Sequence, residues 1–80
     1  MTIEQAIRKS IKQGYNRNYK ISDLGELSFI EQVVCMDPLF WKALGKAMGW
    51  NKGMVIEYHW HCMIDHLVNG GTIKEFFETL

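Results

Sequence analysis

The stretch DPLFWKALGKAMGW, residues 37–50, predicts a helix with a clear start and a clear end. Asp37 is a preferred N-cap residue, and Pro38 suits the first helical position, where a backbone N–H would have no partner. Gly49 is the residue type that most readily ends a helix in the left-handed conformation. Between these ends, apolar residues recur at helical spacing and predict a face turned toward the core: Leu39, Phe40, Ala43, Leu44, Ala47 and Met48.

The segments on either side predict further short helices. Three capping boxes, each an N-cap hydroxyl residue followed three positions later by Gln or Glu, precede apolar runs: Thr2–Gln5, Ser28–Glu31 and Thr72–Glu75. Residues 54–69, MVIEYHWHCMIDHLVN, are apolar around most of the helical circumference and predict a central helix. We therefore expect an all-α protein, a single compact domain of four to five short helices over residues 1–80. Its core is expected around the fourth helix, from Leu44, Ala47, Val55, Trp60, Ile64, Leu67, Phe76 and Phe77.

The composition indicates an ordered globular protein. Of the 80 residues, 48% are hydrophobic and one is proline, which is too apolar for a disordered chain. Two cysteines are too few for a disulfide framework, and residues 1–10 contain no apolar signal segment. No apolar run approaches the roughly 20 residues of a membrane span. These features predict a cytoplasmic protein that does not contact a membrane.

The sequence contains no motif that predicts catalysis. Asp65 and His66 lie side by side but have no nucleophile at a recognisable spacing, and no phosphate-binding loop is present. We therefore expect no enzymatic activity, no cofactor and no small-molecule substrate. His59, Cys62 and His66 share one helical face, yet His59 and His66 would be about 10 Å apart along the axis. Even with Cys35 added, the pattern does not match a closed zinc site, and we expect no bound metal.

The spacing around Gly49 is that of a helix-turn-helix, the motif that places a second helix in the DNA major groove. Gly45 stands where a small residue lets the two helices approach. The apolar positions that the motif buries would be Leu44, Met48, Trp50, Val55 and Tyr58.

The exposed positions of the second helix are poor in the cations and amides that read bases, and the net charge of the chain is zero. Nucleic-acid binding through Asn51 and Lys52 is therefore the alternative interpretation, and the leading one is two core helices packed through a glycine.

Charge and aromatic content predict a surface for a protein partner or for a second copy of the chain. Residues 1–20 carry five basic side chains against one acidic, which would steer an acidic partner electrostatically. The chain is also too short to bury all of its aromatic side chains, and exposed aromatics concentrate at protein contacts. The predicted partner-binding residues are Trp41, Arg8, Lys12, Arg17, Tyr19 and Lys20. The same basic end is the alternative site for nucleic acid.

Residues 37–80 resemble a group of small uncharacterised proteins of bacteria, phages and mobile elements. The shared pattern is FW-x-ALGKA-x-GW, which here is residues 40–50, followed by GG and FF with four residues between them, which here is residues 70–77. The resemblance implies an accessory or regulatory protein that acts by contact with a protein of the host, such as a defence or regulatory complex. It implies no catalytic residue.

Overall fold

The structure, a computed structural model, describes residues 1–16, 27–50 and 52–80, and these ranges contain five α-helices and no strand. The helices are α1 (Ile3–Lys12), α2 (Leu27–Cys35), α3 (Pro38–Met48), α4 (Gly53–Val68) and α5 (Ile73–Glu78). The prediction of an all-α protein is therefore confirmed. None of the described helices has both the length and the apolar composition that crossing a membrane requires.

Local sequence signals determine where most of the helices begin. At α1, the Thr2 hydroxyl accepts from the Gln5 backbone N–H at 3.1 Å, and the Gln5 side chain accepts from the Thr2 N–H at 2.9 Å. At α5, the Thr72 hydroxyl accepts from the Glu75 N–H at 3.2 Å. The predicted capping box is confirmed at Thr2, and at Thr72 the N-cap is confirmed, but the Glu75 carboxylate there accepts from the Thr72 hydroxyl at 2.9 Å. The predicted cap at Ser28 is wrong, because α2 already includes that residue.

The corner between α2 and α3 is held by the side chain of Asp37. One carboxylate oxygen caps α3 by accepting from the Leu39 N–H at 3.0 Å, and the other accepts from the Tyr15 hydroxyl at 2.9 Å. Because Tyr15 follows α1, this pair of bonds ties the start of α3 to the end of α1. At the other end of α3, Gly49 adopts the predicted left-handed conformation, with φ of 78°.

The core is centred on α3, which packs against α1, α2 and α4. Phe40 and Trp41 are adjacent in sequence and both buried, with Trp41 only 1% exposed. Trp41 stacks on Phe77 of α5 at 5.8 Å between ring centroids, and Phe40 contacts the edge of Trp41 at 5.6 Å. The Trp41 indole N–H donates to the Cys35 carbonyl at 2.8 Å, so its polar atom is satisfied within the core.

The prediction that Trp41 is an exposed partner-binding residue is therefore wrong. The prediction assumed that α3 has a single buried face that includes Leu39, which would turn Trp41 toward solvent. In the structure the buried face is rotated, so that Leu39 is 56% exposed and Trp41 lies inside. Elements pack against α3 on more than one side, which allows two neighbouring side chains to be buried together.

The prediction of a core around α4 is wrong as well. Met63 is the buried residue of α4, Val55 is exposed, and Trp60, Ile64 and Leu67 are half-buried. Of the other predicted core residues, Leu44, Phe76 and Phe77 are buried and Ala47 is half-buried. The fourth helix therefore covers one side of the core and leaves its outer face in solvent.

Replacing Asp37 tests the corner. Asp37→Ala removes the α3 cap and leaves the buried Tyr15 hydroxyl without this acceptor, so we expect the free energy of unfolding to fall by about 2–4 kcal/mol. Asp37→Asn keeps one carbonyl oxygen to cap α3, and its NH2 group can donate to the Tyr15 hydroxyl oxygen, so this variant should lose about 1 kcal/mol or less. Urea unfolding followed by circular dichroism measures both. Equal losses in the two variants would contradict the role of the paired hydrogen bonds.

Candidate binding surfaces

Two of the three histidines of α4, His59 and His66, are engaged in packing, and His61 is exposed. His59 stacks on Trp50 with 3.9 Å between ring centroids and 12° between planes. The His66 ring lies directly against Gly71, where a β-carbon would overlap its Nε2. That nitrogen is buried and has no hydrogen-bond partner among the described residues. Within those same residues, no three His, Cys, Asp or Glu side chains come together to hold a metal ion.

The two cysteines occupy different environments. Cys35 is fully buried at the end of α2, whereas Cys62 on α4 is half-buried; both are free thiols. Burial, assisted by the nearby Glu31 carboxylate, raises the pKa of Cys35 to about 12. Cys62 lies beside the exposed Tyr58 hydroxyl, and the hydrogen bond between them raises the pKa of Tyr58. Cys35 is thus a core residue, and Cys62 is the accessible thiol of the two.

The predicted basic surface is described only in part. On α1, Arg8 is half-exposed and donates to Glu4 at 2.7 Å, which engages part of its charge within the helix. Lys12 is exposed at the end of the same helix. The other predicted residues, Arg17, Tyr19 and Lys20, lie outside the described residues, as does Asn51 of the alternative nucleic-acid site.

The helix-turn-helix register is not the one that the structure adopts. Gly45 does allow close approach, as predicted: a β-carbon there would be 2.7 Å from Cδ1 of Ile56. Leu44 is buried, but Val55 and Tyr58, which the motif would bury, are exposed, Tyr58 by 65%. The fourth helix is therefore rotated so that Ile56 rather than Val55 meets α3.

The turn between α3 and α4 is held by the backbone. The Trp50 N–H donates to the Gly45 carbonyl at 2.8 Å. Lys52 is exposed and is the N-cap of α4, but its side chain makes no capping hydrogen bond. Lysine has no acceptor with which to cap a helix, so the first amides of α4 lack the side-chain partner found at α1, α3 and α5.

An apolar stripe lies on the outer face of α2 and just beyond its end. It consists of Phe29, Val33 and Met36, spaced at i, i+4 and i+7, which places them on one side of the helix. Phe29 is 69% exposed, and Met36 is 58% exposed. Ile30 and Val34 are buried on the other side. We call Phe29, Val33 and Met36 the α2 stripe; none of the charged side chains that the structure describes lies within it.

The outer face of α4 is more mixed. Met54, Val55, Tyr58 and Val68 are exposed on α4, where Glu57 lies among the first three and His61 and Asp65 separate them from Val68. A face with alternating apolar and polar groups is ordinary protein surface, whereas a continuous apolar stripe on a short helix is typical of an interface. Residues four apart lie on the same side of a helix, so the sequence alone divides the apolar run of α2 into two pairs: Phe29 with Val33, and Ile30 with Val34. The structure shows that the second pair is buried and the first exposed.

A groove separates α3 from the first turns of α4 and encloses about 560 Å³. Its lining residues are Lys42, Lys46, Trp50, Gly53, Ile56 and Glu57. Lys42 and Lys46 lie one helical turn apart on the exposed side of α3. Among the described residues, neither lysine forms an ion pair. We call this feature the α3–α4 groove.

Comparison of the chain with protein-family models, curated proteins and solved structures finds no match. The resemblance to small bacterial and phage proteins therefore remains a prediction from the motif alone.

Thiol labelling tests the assignment of the two cysteines. At pH 8 the native protein should react at one thiol within minutes, because Cys35 is buried and protonated. Cys62→Ser should abolish the fast reaction, whereas Cys35→Ser should preserve it; both variants should react fully once unfolded. Rapid labelling of native Cys62→Ser would contradict the buried position of Cys35.

Replacing Gly45 tests the close contact between α3 and Ile56 of α4. Alanine at position 45 should add about 1 kcal/mol of helix propensity but displace Ile56, at a cost of about 1–3 kcal/mol. We therefore expect Gly45→Ala to be neutral to destabilising in the native sequence and stabilising when Ile56 is alanine. The free energies of unfolding of the four proteins give the answer. The same sign in both backgrounds would show that the two residues do not touch.

Proposed function

We propose that this protein is a non-enzymatic binding module that attaches to a partner protein by inserting the α2 stripe into an apolar groove of that partner. The observation that carries the proposal is the exposure of Phe29, Val33 and Met36 together on one side of a helix whose other side is buried. Side chains at i, i+4 and i+7 are the anchors that a helix presents when it binds in a groove.

The size of the α2 stripe favours a groove over a flat contact with a second copy. Its three side chains extend about 10 Å along the helix, because seven residues rise by 1.5 Å each. A stable interface between two proteins buries roughly 800 Å² on each partner, far more than three side chains provide. A concave partner surface supplies the missing area by enclosing the helix from both sides. An apolar anchor is also the kind of residue that dominates the binding energy at interfaces.

The stripe is held in place by the same corner that buries Trp41. The α2 helix ends at Cys35, whose carbonyl accepts the Trp41 indole N–H. The next turn is fixed by the Asp37 cap. An anchor presented on a fixed helix loses less conformational entropy on binding than one on a loose segment, and this contributes to affinity.

Polar substitution of the α2 stripe tests the proposal. A protein captured from a cell lysate by the wild type, and then purified, should bind the Phe29→Ser/Val33→Ser variant at least tenfold more weakly, because two apolar anchors are lost. Val68→Ser is the matched control, since Val68 is as exposed but lies at the far end of α4. Circular dichroism confirms that both variants fold.

Unchanged affinity of the stripe variant would refute the proposed function. If the wild type captures no protein but forms a concentration-dependent dimer, and the Phe29→Ser/Val33→Ser variant does not, then the binding partner is a second copy of the chain.

A further inference from the structure

We propose that the α3–α4 groove is a second binding site and that its ligand is an acidic peptide segment with an apolar side chain beside its carboxylates. The inference rests on the proposed function only in taking the partner to be a protein. It concerns a different surface from the α2 stripe, so the two can fail separately.

The groove has the size and the lining of a peptide site. Its volume of about 560 Å³ lies within the range of small-ligand clefts, and it holds one or two side chains of a peptide. Ile56 forms an apolar floor, because the missing side chain of Gly45 lets it lie directly on the α3 backbone. Trp50 lines the same groove. These two residues would receive the apolar side chain.

The charges specify the rest of the ligand. The Cβ atoms of Lys42 and Lys46 are about 6 Å apart on one face of α3. Two acidic residues one helical turn apart in a bound segment have the same spacing. Neither ammonium is paired within the described residues, so a ligand gains both contacts without breaking an existing one. Lys52, next to Gly53 of the groove lining, adds a third exposed cation at the turn.

The groove is also shaped before any ligand arrives. Trp50 is fixed by its backbone bond to Gly45 and by stacking of its ring on His59. Ile56 is fixed by its close contact with α3. A rigid apolar floor, with two cations along its α3 side, lowers the entropy cost of binding.

Two features favour a peptide over nucleic acid. Glu57 lines the groove and would repel a continuous phosphate backbone, whereas a peptide can place a neutral residue beside it. The chain as a whole has no net charge, so it lacks the field that supplies most affinity for nucleic acids. Carboxylates placed only opposite the lysines satisfy both constraints.

The test uses the purified full chain and two fluorescent helical peptides. One carries Glu at positions i and i+4 with Leu at position i+3, which lies on the adjoining part of the same face; the other carries Gln in place of both Glu residues. Fluorescence anisotropy at low salt should show at least tenfold tighter binding of the Glu peptide, and added salt should reduce that difference.

Matched variants locate the site. Lys42→Gln/Lys46→Gln should weaken binding of the Glu peptide about tenfold, as expected for two exposed charge contacts. Lys9→Gln/Lys74→Gln makes the same change in net charge at exposed positions of α1 and α5 and should leave the affinity within about twofold, because only the overall field is altered. Glu57→Gln should strengthen binding, since it removes a like charge from the groove.

Three results would overturn the inference. The first is equal binding of the Glu and Gln peptides, and the second is equal loss of affinity in the Lys42→Gln/Lys46→Gln variant and in the Lys9→Gln/Lys74→Gln control. The third is tighter binding of a single-stranded oligonucleotide than of the Glu peptide, lost in Lys42→Gln/Lys46→Gln, which would make the groove a nucleic-acid site. The Phe29→Ser/Val33→Ser variant should bind the Glu peptide like the wild type, so failure of the stripe proposal leaves this result unaffected.

Discussion

The rest of the structure depends on the burial of the Trp41 indole beside the α2–α3 corner. A tryptophan is the largest side chain that a small core can hold, and its N–H must find an acceptor when it is buried. The acceptor is the Cys35 carbonyl, the last residue of α2, so the bond that satisfies the indole also fixes where α2 ends relative to α3. Asp37 completes the corner by capping α3 and accepting from Tyr15.

This constraint determines which apolar side chains are left outside. With Trp41 turned inward against Phe77, Leu39 is turned outward, and α2 faces the core through Ile30 and Val34. Phe29 and its neighbours on the opposite side of α2 then have nothing to cover them within the described residues. A chain of this size buries only about 60% of the surface that its unfolded form exposes, so some apolar surface must remain available. In this protein the exposed apolar side chains lie on α2, α3 and α4, and we infer that those of the α2 stripe bind a partner.

Helix ends were the part of the fold that the sequence predicted best. Thr2, Asp37, Gly49 and Thr72 act on backbone groups within a few residues, so their effect does not depend on the rest of the fold. The position of Trp41 could not be predicted in this way, because it depends on helices that pack on α3 from distant parts of the chain. A periodic apolar pattern predicts one buried face of a helix, whereas the buried face of α3 is wider and includes Trp41.

The candidate surfaces were predictable to different degrees. The close approach at Gly45 was expected from the small residue itself, but the rotation that brings Ile56 to it was not. That rotation depends on how α4 lies across α3, and α4 is apolar around so much of its circumference that its sequence does not determine which residues face inward. The sequence alone did not distinguish Lys42 and Lys46 from other exposed lysines. Only the structure shows that they line a groove together with Ile56 and Trp50.

The most direct test of the account is the hydrogen-exchange rate of the Trp41 indole N–H, measured by NMR on the native protein. The account predicts that this proton exchanges only through global unfolding, with the same opening free energy as urea unfolding gives for the whole domain. Exchange of the Trp41 proton near the solvent rate, while the backbone amides of α3 remain protected, would contradict the account. Trp41 would then be exposed, and the corner would not determine which surfaces are free to bind.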